Sequence, residues 1–266
     1  MTRLVTAAVT VPLLLLAILR GPAWLFLVLA VAFALAGFWE LSKMLKSSDS
    51  DKTLLPVGYV ATGLVTASFY FARLPFMDAS LIALLLIGFA VVMKRRPEPD
   101  NLVAALGTVF ATFYVGALLG SLVGLRMVEP DPDGRRWVVF LLTVVFVGDA
   151  GAYYVGKSLG KHPLAPRLSP KKTMEGLAGD VVFALAMAIV LNELWFPGLP
   201  VAAVAGLGVV LSLLGVVGDL FESFLKRSAD VKDTSSLIPG HGGVLDRVDS
   251  VLFAAPVLLL CVWWFL

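Results

Sequence analysis

Hydrophobic and polar positions along this chain fall into blocks rather than alternating residue by residue. Apolar runs occupy approximately residues 4–19, 22–39, 54–72, 76–93, 103–124, 137–157, 178–196, 200–218 and 248–266, with short polar stretches between them. Roughly 17–25 mostly apolar residues in a helix cover the hydrocarbon of a bilayer. The pattern therefore predicts an all-α, polytopic integral membrane protein with about nine transmembrane helices. A membrane barrel would show alternating segments of about ten residues, and none are present. The breaks at 20–21, 73–75 and 197–199 are short enough for antiparallel helix hairpins. Because the first run is short, counts of eight or ten also fit these breaks.

Composition agrees with this reading. Apolar residues make up 59% of the chain and charged residues 15%, with a mean hydropathy of +0.92, outside the range of soluble domains. Arg3 followed by Leu4–Leu19 resembles a secretory signal. No small-x-small cleavage site precedes Arg20-Gly21-Pro22, and another apolar run follows at once, so the stretch is read as a mature span. The single cysteine, Cys261, excludes an intrachain disulfide and a CxxC metal site. Two distant histidines make a zinc hydrolase a weak reading.

A net charge of +2 says little, but the distribution of Lys and Arg over the loops is informative. With the N-terminus inside, 16 of the 21 basic residues fall on one side, including Lys43, Lys94, Lys157 and those of the 158–177 and 219–247 segments. Arg20, Arg73, Arg126, Arg135 and Arg136 fall on the other. The positive-inside rule places both long polar segments in the cytoplasm of a multi-pass protein of the cell membrane. The chain reads as one membrane domain over residues 1–266, with N-terminal helices in 1–135 and C-terminal helices carrying the polar loops in 136–266. The outer loop EPDPDGRR, 129–136, has Pro and Asp-Gly turn chemistry and reads as a solvated connector.

Three stretches carry candidate chemistry. Asp149 lies within the sixth run, among Gly148, Ala150, Gly151 and Ala152. An ionisable side chain at membrane depth costs at least ~2.5 kcal/mol and usually faces a cavity or a partner, while small neighbours let another helix or a ligand approach. Tyr153 and Tyr154 read as interfacial anchors. The second stretch, residues 156–176, holds Lys157, Lys161, Arg167, Lys171 and Lys172 among Pro and Gly turns, beside the hydroxyls of Ser169 and Thr173. Such a loop suits a polyphosphate or acidic lipid head groups. Ser169-Pro170 has the form of a helix start that would direct N–H groups at an anion.

The third stretch runs from Asp219 to Asp249. If the eighth run continues as helix, Asp219, Ser223 and Lys226 share one face, with Glu222 alongside. Gly240-His241-Gly242-Gly243 is a flexible turn whose N–H groups suit phosphate oxygens. Asp246 and Asp249 follow at the start of the last run, where a helix N-terminus favours acids and where carboxylates can also bind Mg2+. Each part has a plain structural reading as cap, stop-transfer charge or turn. Gathered in one polar segment, they point to phosphate–metal chemistry.

These residues resemble the signature of the phosphatidate cytidylyltransferases, or CDP-diacylglycerol synthases. Ser223, Lys226, Arg227, Lys232, Asp233, Pro239, Gly240, His241, Gly242, Gly243, Asp246, Arg247 and Asp249 meet its fixed positions, and GDAGAYYVGKSLGK and SPKKTMEG resemble the family upstream. The resemblance covers about residues 148–249 by motif. It implies transfer of the cytidylyl group of CTP to phosphatidate, giving CDP-diacylglycerol and pyrophosphate, with two metal sites, one for Mg2+ and the other for an ion the resemblance does not name. Asp219 and Asp246 are then the leading metal ligands, with Asp249 third. Lys226 and His241 join Asp219 and Asp246 as expected catalytic residues, His241 as a hydrogen-bonding group or an acid toward pyrophosphate. Asp149, Lys171, Lys172, Thr173, Ser223, Arg227, Lys232, Asp233, Gly242, Gly243 and Arg247 are expected around the substrates. Partners are CTP, phosphatidate and the bilayer, with a homodimer allowed and no nucleic acid. Two rivals stand beside this reading. A CTP-dependent lipid kinase acting on dolichol or diacylglycerol would move the γ-phosphate. A transporter would use Asp149, but no paired broken helices or internal repeat support it.

Overall fold

The structure is a computed structural model that describes residues 12–45, 54–71, 88, 93, 99–129, 133–238, 240 and 242–265. It is mostly helical: α1 (12–20), α2 (Ala23–Met44), α3 (Leu55–Ser68), α4 (99–126), α5 (Asp133–Leu159), α6 (Met174–Trp195), α7 (Val201–Ser228) and α8 (Leu245–Phe265). Among the described residues, five helices are long and apolar enough to cross a membrane: α2, α4 over Asn101–Arg126, α5, α6 and α7. The expected spans 4–19 and 76–93 lie partly and almost wholly outside the described residues. Large apolar side chains such as Val28, Leu106, Phe146, Val182 and Val210 are exposed on these five helices, the surface a bilayer covers. The chain is an integral membrane protein.

The all-α expectation needs one correction. Residues 158–173 contain an antiparallel hairpin, β1 (Pro163–Ala165) with β2 (Ser169–Thr173), paired through Pro163 with Thr173 and Ala165 with Ser169. Ser169-Pro170 accordingly opens a strand, not a helix. Proline is tolerated on the edge of a two-stranded sheet, where no ladder donor is required of it. The helix begins at Met174 instead, capped by Thr173, whose Oγ1 accepts the Gly176 N–H at 3.1 Å.

The chain divides into two compact units, Met1–Val128 with Val231–Arg247, and Glu129–Asp230 with Val248–Leu266. In the first, Phe38 of α2 is fully buried and meets Tyr59 of α3 edge-on at 5.0 Å. The middle of α4, Thr112–Ala117, is π-helical, a register that disturbs the regular i to i−4 bonds. Thr66 of α3 sends its hydroxyl toward Gly116 O at 3.1 Å, while also 2.9 Å from Thr62 O, so a neighbouring helix supplies a donor at this irregular turn.

In the second unit, α5 packs along α6 through small residues. A Cβ at Gly151 would lie 2.9 Å from Gly179 O, and one at Gly179 would lie 2.7 Å from Val155 Cβ. Without a hydrophobic driving force between helices in lipid, this close backbone approach gives the van der Waals contact that holds them. Trp137 stacks on Phe196 with ring centroids 4.1 Å apart, fixing the start of α5 against the end of α6.

Candidate functional site

In the second unit, four acids on four helices are drawn into one electrostatic neighbourhood. Asp149 is on α5, Asp180 on α6, Asp219 on α7 and Asp249 on α8. Asp149 feels the charges of Asp180, Asp219 and Lys172, and its side chain is hydrogen-bonded with Ser250. Asp249 feels Asp219, Asp149 and Lys226. The packing makes this possible: a Cβ at Gly148 would meet Asp180 Oδ1, and one at Gly218 would overlap the Asp249 carbonyl. Glycine on α5 and α7 thus lets acid-bearing helices approach closely.

Two lysines answer this negative charge. Lys172 Nζ lies 2.7 Å from Asp219 Oδ2, both side chains being partly buried. Side chains on a strand point alternately to opposite faces. In β2 this leaves Lys171 exposed and turns Lys172 onto α7. Lys226 Nζ lies 2.9 Å from Glu222 Oε1, one turn back on the same helix, and Glu222 is fully buried. Helix α7 does continue through Asp219, Ser223 and Lys226 as the sequence suggests, with Ser223 half-buried and Arg227 exposed.

The hairpin carrying Lys172 is itself tied down. Glu175, in the first turn of α6, accepts the N–H groups of Lys161 at 3.0 Å and His162 at 3.2 Å, and its other oxygen meets His162 Nδ1 at 2.6 Å. A carboxylate in the first helical turn is also favoured by the helix dipole. His162 is therefore a loop partner of Glu175.

In the first unit, the 231–247 segment folds around two carboxylates. Asp246 Oδ2 accepts from Thr234 N at 3.0 Å and Gly243 N at 2.8 Å, and lies 2.9 Å from Thr234 Oγ1, whose single hydrogen it shares with Glu40. Gly242 has φ +83°, a left-handed conformation suited to glycine, and its carbonyl accepts the Ile238 N–H at 2.9 Å. The Gly243 N–H, expected to face a phosphate, is committed to Asp246. Lys232, Asp233 and Arg247 are exposed on this segment. His241 lies outside the described residues.

Two buried acids in these clusters escaped the sequence reading. Asp180 is only 2% exposed and accepts the Ser212 hydroxyl at 2.6 Å. The rule that singles out Asp149, an ionisable group inside an apolar run, applies to it as well. Glu40 had a weaker signal as an acid at the end of the second apolar run, followed by Lys43. Its carboxylate accepts hydrogen bonds from Ser235, Val244 and Leu245 and shares the Thr234 hydrogen. No local pattern connects residues so far apart in the chain.

As for metal chemistry, the carboxylates supply hard oxygen donors of the kind Mg2+ takes. Among the described residues, no group of three or more His, Cys, Asp and Glu side chains is placed so that it could hold a metal ion.

Three curated phosphatidate cytidylyltransferases are similar to this chain. That of Bacillus subtilis (strain 168) is 39% identical over 184 residues, covering 68% of this chain and 66% of the relative. That of Staphylococcus saprophyticus is 35% identical over 181 residues, 67% of this chain and 66% of the relative. For Staphylococcus aureus (strain COL) the figures are 35% over 182 residues, 67% and 66%. The matched region thus spans just under two thirds of the length of these relatives. The sequence model of the cytidylyltransferase family covers more, running over residues 1–265 and so through both units and every polar segment described above. By that match, this chain belongs to the cytidylyltransferase family.

Proposed function

We propose that this chain is a phosphatidate cytidylyltransferase, which transfers the cytidylyl group of CTP to phosphatidate to give CDP-diacylglycerol and pyrophosphate. The observation that carries the reading is the 2.7 Å pair between Lys172 and Asp219. It ties a basic hairpin suited to phosphates to the acids of α5, α7 and α8, in a chain of the cytidylyltransferase family. The named relatives support the choice of CTP and phosphatidate.

In this reaction a phosphate oxygen of the lipid forms a bond to the α-phosphorus of CTP. The bond from that phosphorus to the oxygen bridging it to the β-phosphate breaks, and pyrophosphate leaves with the electron pair. A phosphate monoester has its second pKa near 6, roughly, so the attacking oxygen is largely ionised at neutral pH. Positioning and electrostatics then carry more of the catalysis than a strong base does. Within the second unit, Lys171, Lys172, Lys226 and Arg227 are the basic groups suited to phosphate; within the first, Lys232 and Arg247 are. Thr173, Ser223 and Asp149 are the substrate-facing candidates of the second unit, and Asp233 and the Gly242 backbone those of the first, each within its own unit. His241 hydrogen-bonds a phosphate.

Asp219 in the second unit and Asp246 in the first, each taken within its own unit, are the leading candidates to hold Mg2+, with Asp249 third; when bound, Mg2+ would supply neutralisation of charge on the transferring and departing phosphates. The excess of carboxylates over ammonium groups around Asp149, Asp219 and Asp249 supports a cation there. The reading includes about nine spans, two metal sites and polar segments facing the cytoplasm, the side carrying 16 of the 21 Lys and Arg residues. A homodimer is compatible with it.

The test uses purified full-length protein with labelled CTP, phosphatidate and Mg2+, with and without chelator. Equimolar CDP-diacylglycerol and pyrophosphate, lost on chelation, is the expected result. Release of CDP with a phosphorylated lipid would instead identify a lipid kinase, and flux without CTP turnover a transporter.

A further inference from the structure

We propose that Glu40 is a positioning residue for this reaction: its buried carboxylate is the template on which the Asp246-bearing segment folds. The inference rests on the cytidylyltransferase reading for its catalytic consequence, and on geometry alone for the rest. Glu40 sits near the end of α2 and is fully buried. Its Oε1 accepts Val244 N at 2.8 Å and Ser235 Oγ at 2.6 Å, and its Oε2 accepts Leu245 N at 2.9 Å and lies 3.0 Å from Thr234 Oγ1. A fully buried carboxylate is costly unless its lone pairs are satisfied, and here three donors of its own and a share of the Thr234 hydrogen satisfy them.

The arrangement differs from ordinary helix capping. A helix start is usually capped by a Ser, Thr, Asp or Asn beside it, but the N–H groups of Val244, just before α8, and of Leu245, its first residue, are met by an acid 204 and 205 residues away in the chain. A local cap would fix only the local bend. Glu40 fixes the start of α8 against α2, which belongs to the same unit.

Thr234 extends that control to Asp246. Its one hydroxyl lies 3.0 Å from Glu40 Oε2 and 2.9 Å from Asp246 Oδ2, so its single hydrogen sits between the two acids. Gly243 completes the fit, since a Cβ there would overlap Thr234 Oγ1 and crowd both Glu40 oxygens. Glu40 thereby sets where Asp246 stands, without itself being a substrate contact.

The test compares wild type with Glu40→Gln, Glu40→Asp and Thr234→Val in the full-length, detergent-solubilised protein. Steady-state kinetics against CTP and Mg2+ are paired with amide hydrogen exchange. An amide cannot accept at both ends, so in Glu40→Gln one donor pair faces an NH2 group. The expected result is a fall in kcat of about 10- to 100-fold, as for loss of groups that orient a metal ligand, with a higher Mg2+ concentration for half-activation. Exchange should quicken over 231–250 and stay unchanged in α5 and α6. Glu40→Asp should recover part of the rate, and Thr234→Val should reproduce the Mg2+ shift even if Glu40→Gln fails to fold. Wild-type kinetics with wild-type exchange in Glu40→Gln would overturn the proposal. So would activity loss accompanied by faster exchange throughout all helices, which marks a general packing role. If wild type makes no CDP-diacylglycerol, the reaction assignment fails, and exchange at Val244 and Leu245 alone decides whether Glu40 holds the segment.

Discussion

The Lys172–Asp219 pair allows a quantitative check on the site. At 2.7 Å, two unit charges attract by about 6 kcal/mol at an effective dielectric of ~20. Most of that is returned as lost hydration, and hydrogen bonds to charged groups retain about 1.5–3 kcal/mol net. The two side chains keep 24% and 30% of their exposure, so water still screens them, which lowers the expectation to about 1–2 kcal/mol. Removing Lys172 also leaves Asp219 facing Asp149 and Asp249 with less compensation. Lys172→Met and Asp219→Asn should each destabilise by about 1–2 kcal/mol, with a favourable coupling of about the same size in the double mutant. The assay is unfolding in mixed detergent–SDS micelles followed by tryptophan fluorescence, which the six tryptophans permit. Turnover of Lys172→Met should fall on the order of 100-fold, the scale of losing one well-placed electrostatic stabiliser. A coupling below about 0.3 kcal/mol, within ordinary additivity, would refute the reasoning that this pair binds hairpin to helix.

Two further outcomes follow from the first unit. Gly243→Ala puts a methyl group into Thr234 Oγ1 and the Glu40 carboxylate, so at least one charged hydrogen bond is lost; stability in the same SDS titration should fall by about 1.5–3 kcal/mol. Asp246→Asn keeps the shape and an acceptor oxygen but removes the charge, so the protein should insert and fold normally, as judged by gel filtration, while CDP-diacylglycerol formation is lost. Near-wild-type turnover in detergent would exclude Asp246 as a metal ligand.

Part of this was legible in the chain. Continuous apolar blocks about one bilayer crossing long, without the alternation of barrel strands, are satisfied as helices, because no water meets backbone polar groups in hydrocarbon. That alone indicated the helical class and located α2, α4, α5, α6 and α7. The acids and lysines of 219–249 were conspicuous because charges are rare elsewhere, and Asp149 because it interrupts an apolar run. The hairpin was less visible: Ser169-Pro170 has local helix-start chemistry, but the pairing of Ser169 with Ala165 and of Thr173 with Pro163 overrode it.

The sequence by itself determined the membrane class, the family signature and which segments carry chemistry, since these depend on composition and on spacing over a few residues. Only the tertiary structure decided the partners. Lys172 turns to Asp219, Ser250 to Asp149, Ser212 to Asp180, and Glu40 to the start of α8, each pairing set by which helix faces meet. The physical reason is that a carboxylate's need for donors can be met by any residue the fold brings within about 3 Å. For Glu40 the fold supplied them from the other end of the chain, where no periodicity or local motif could point.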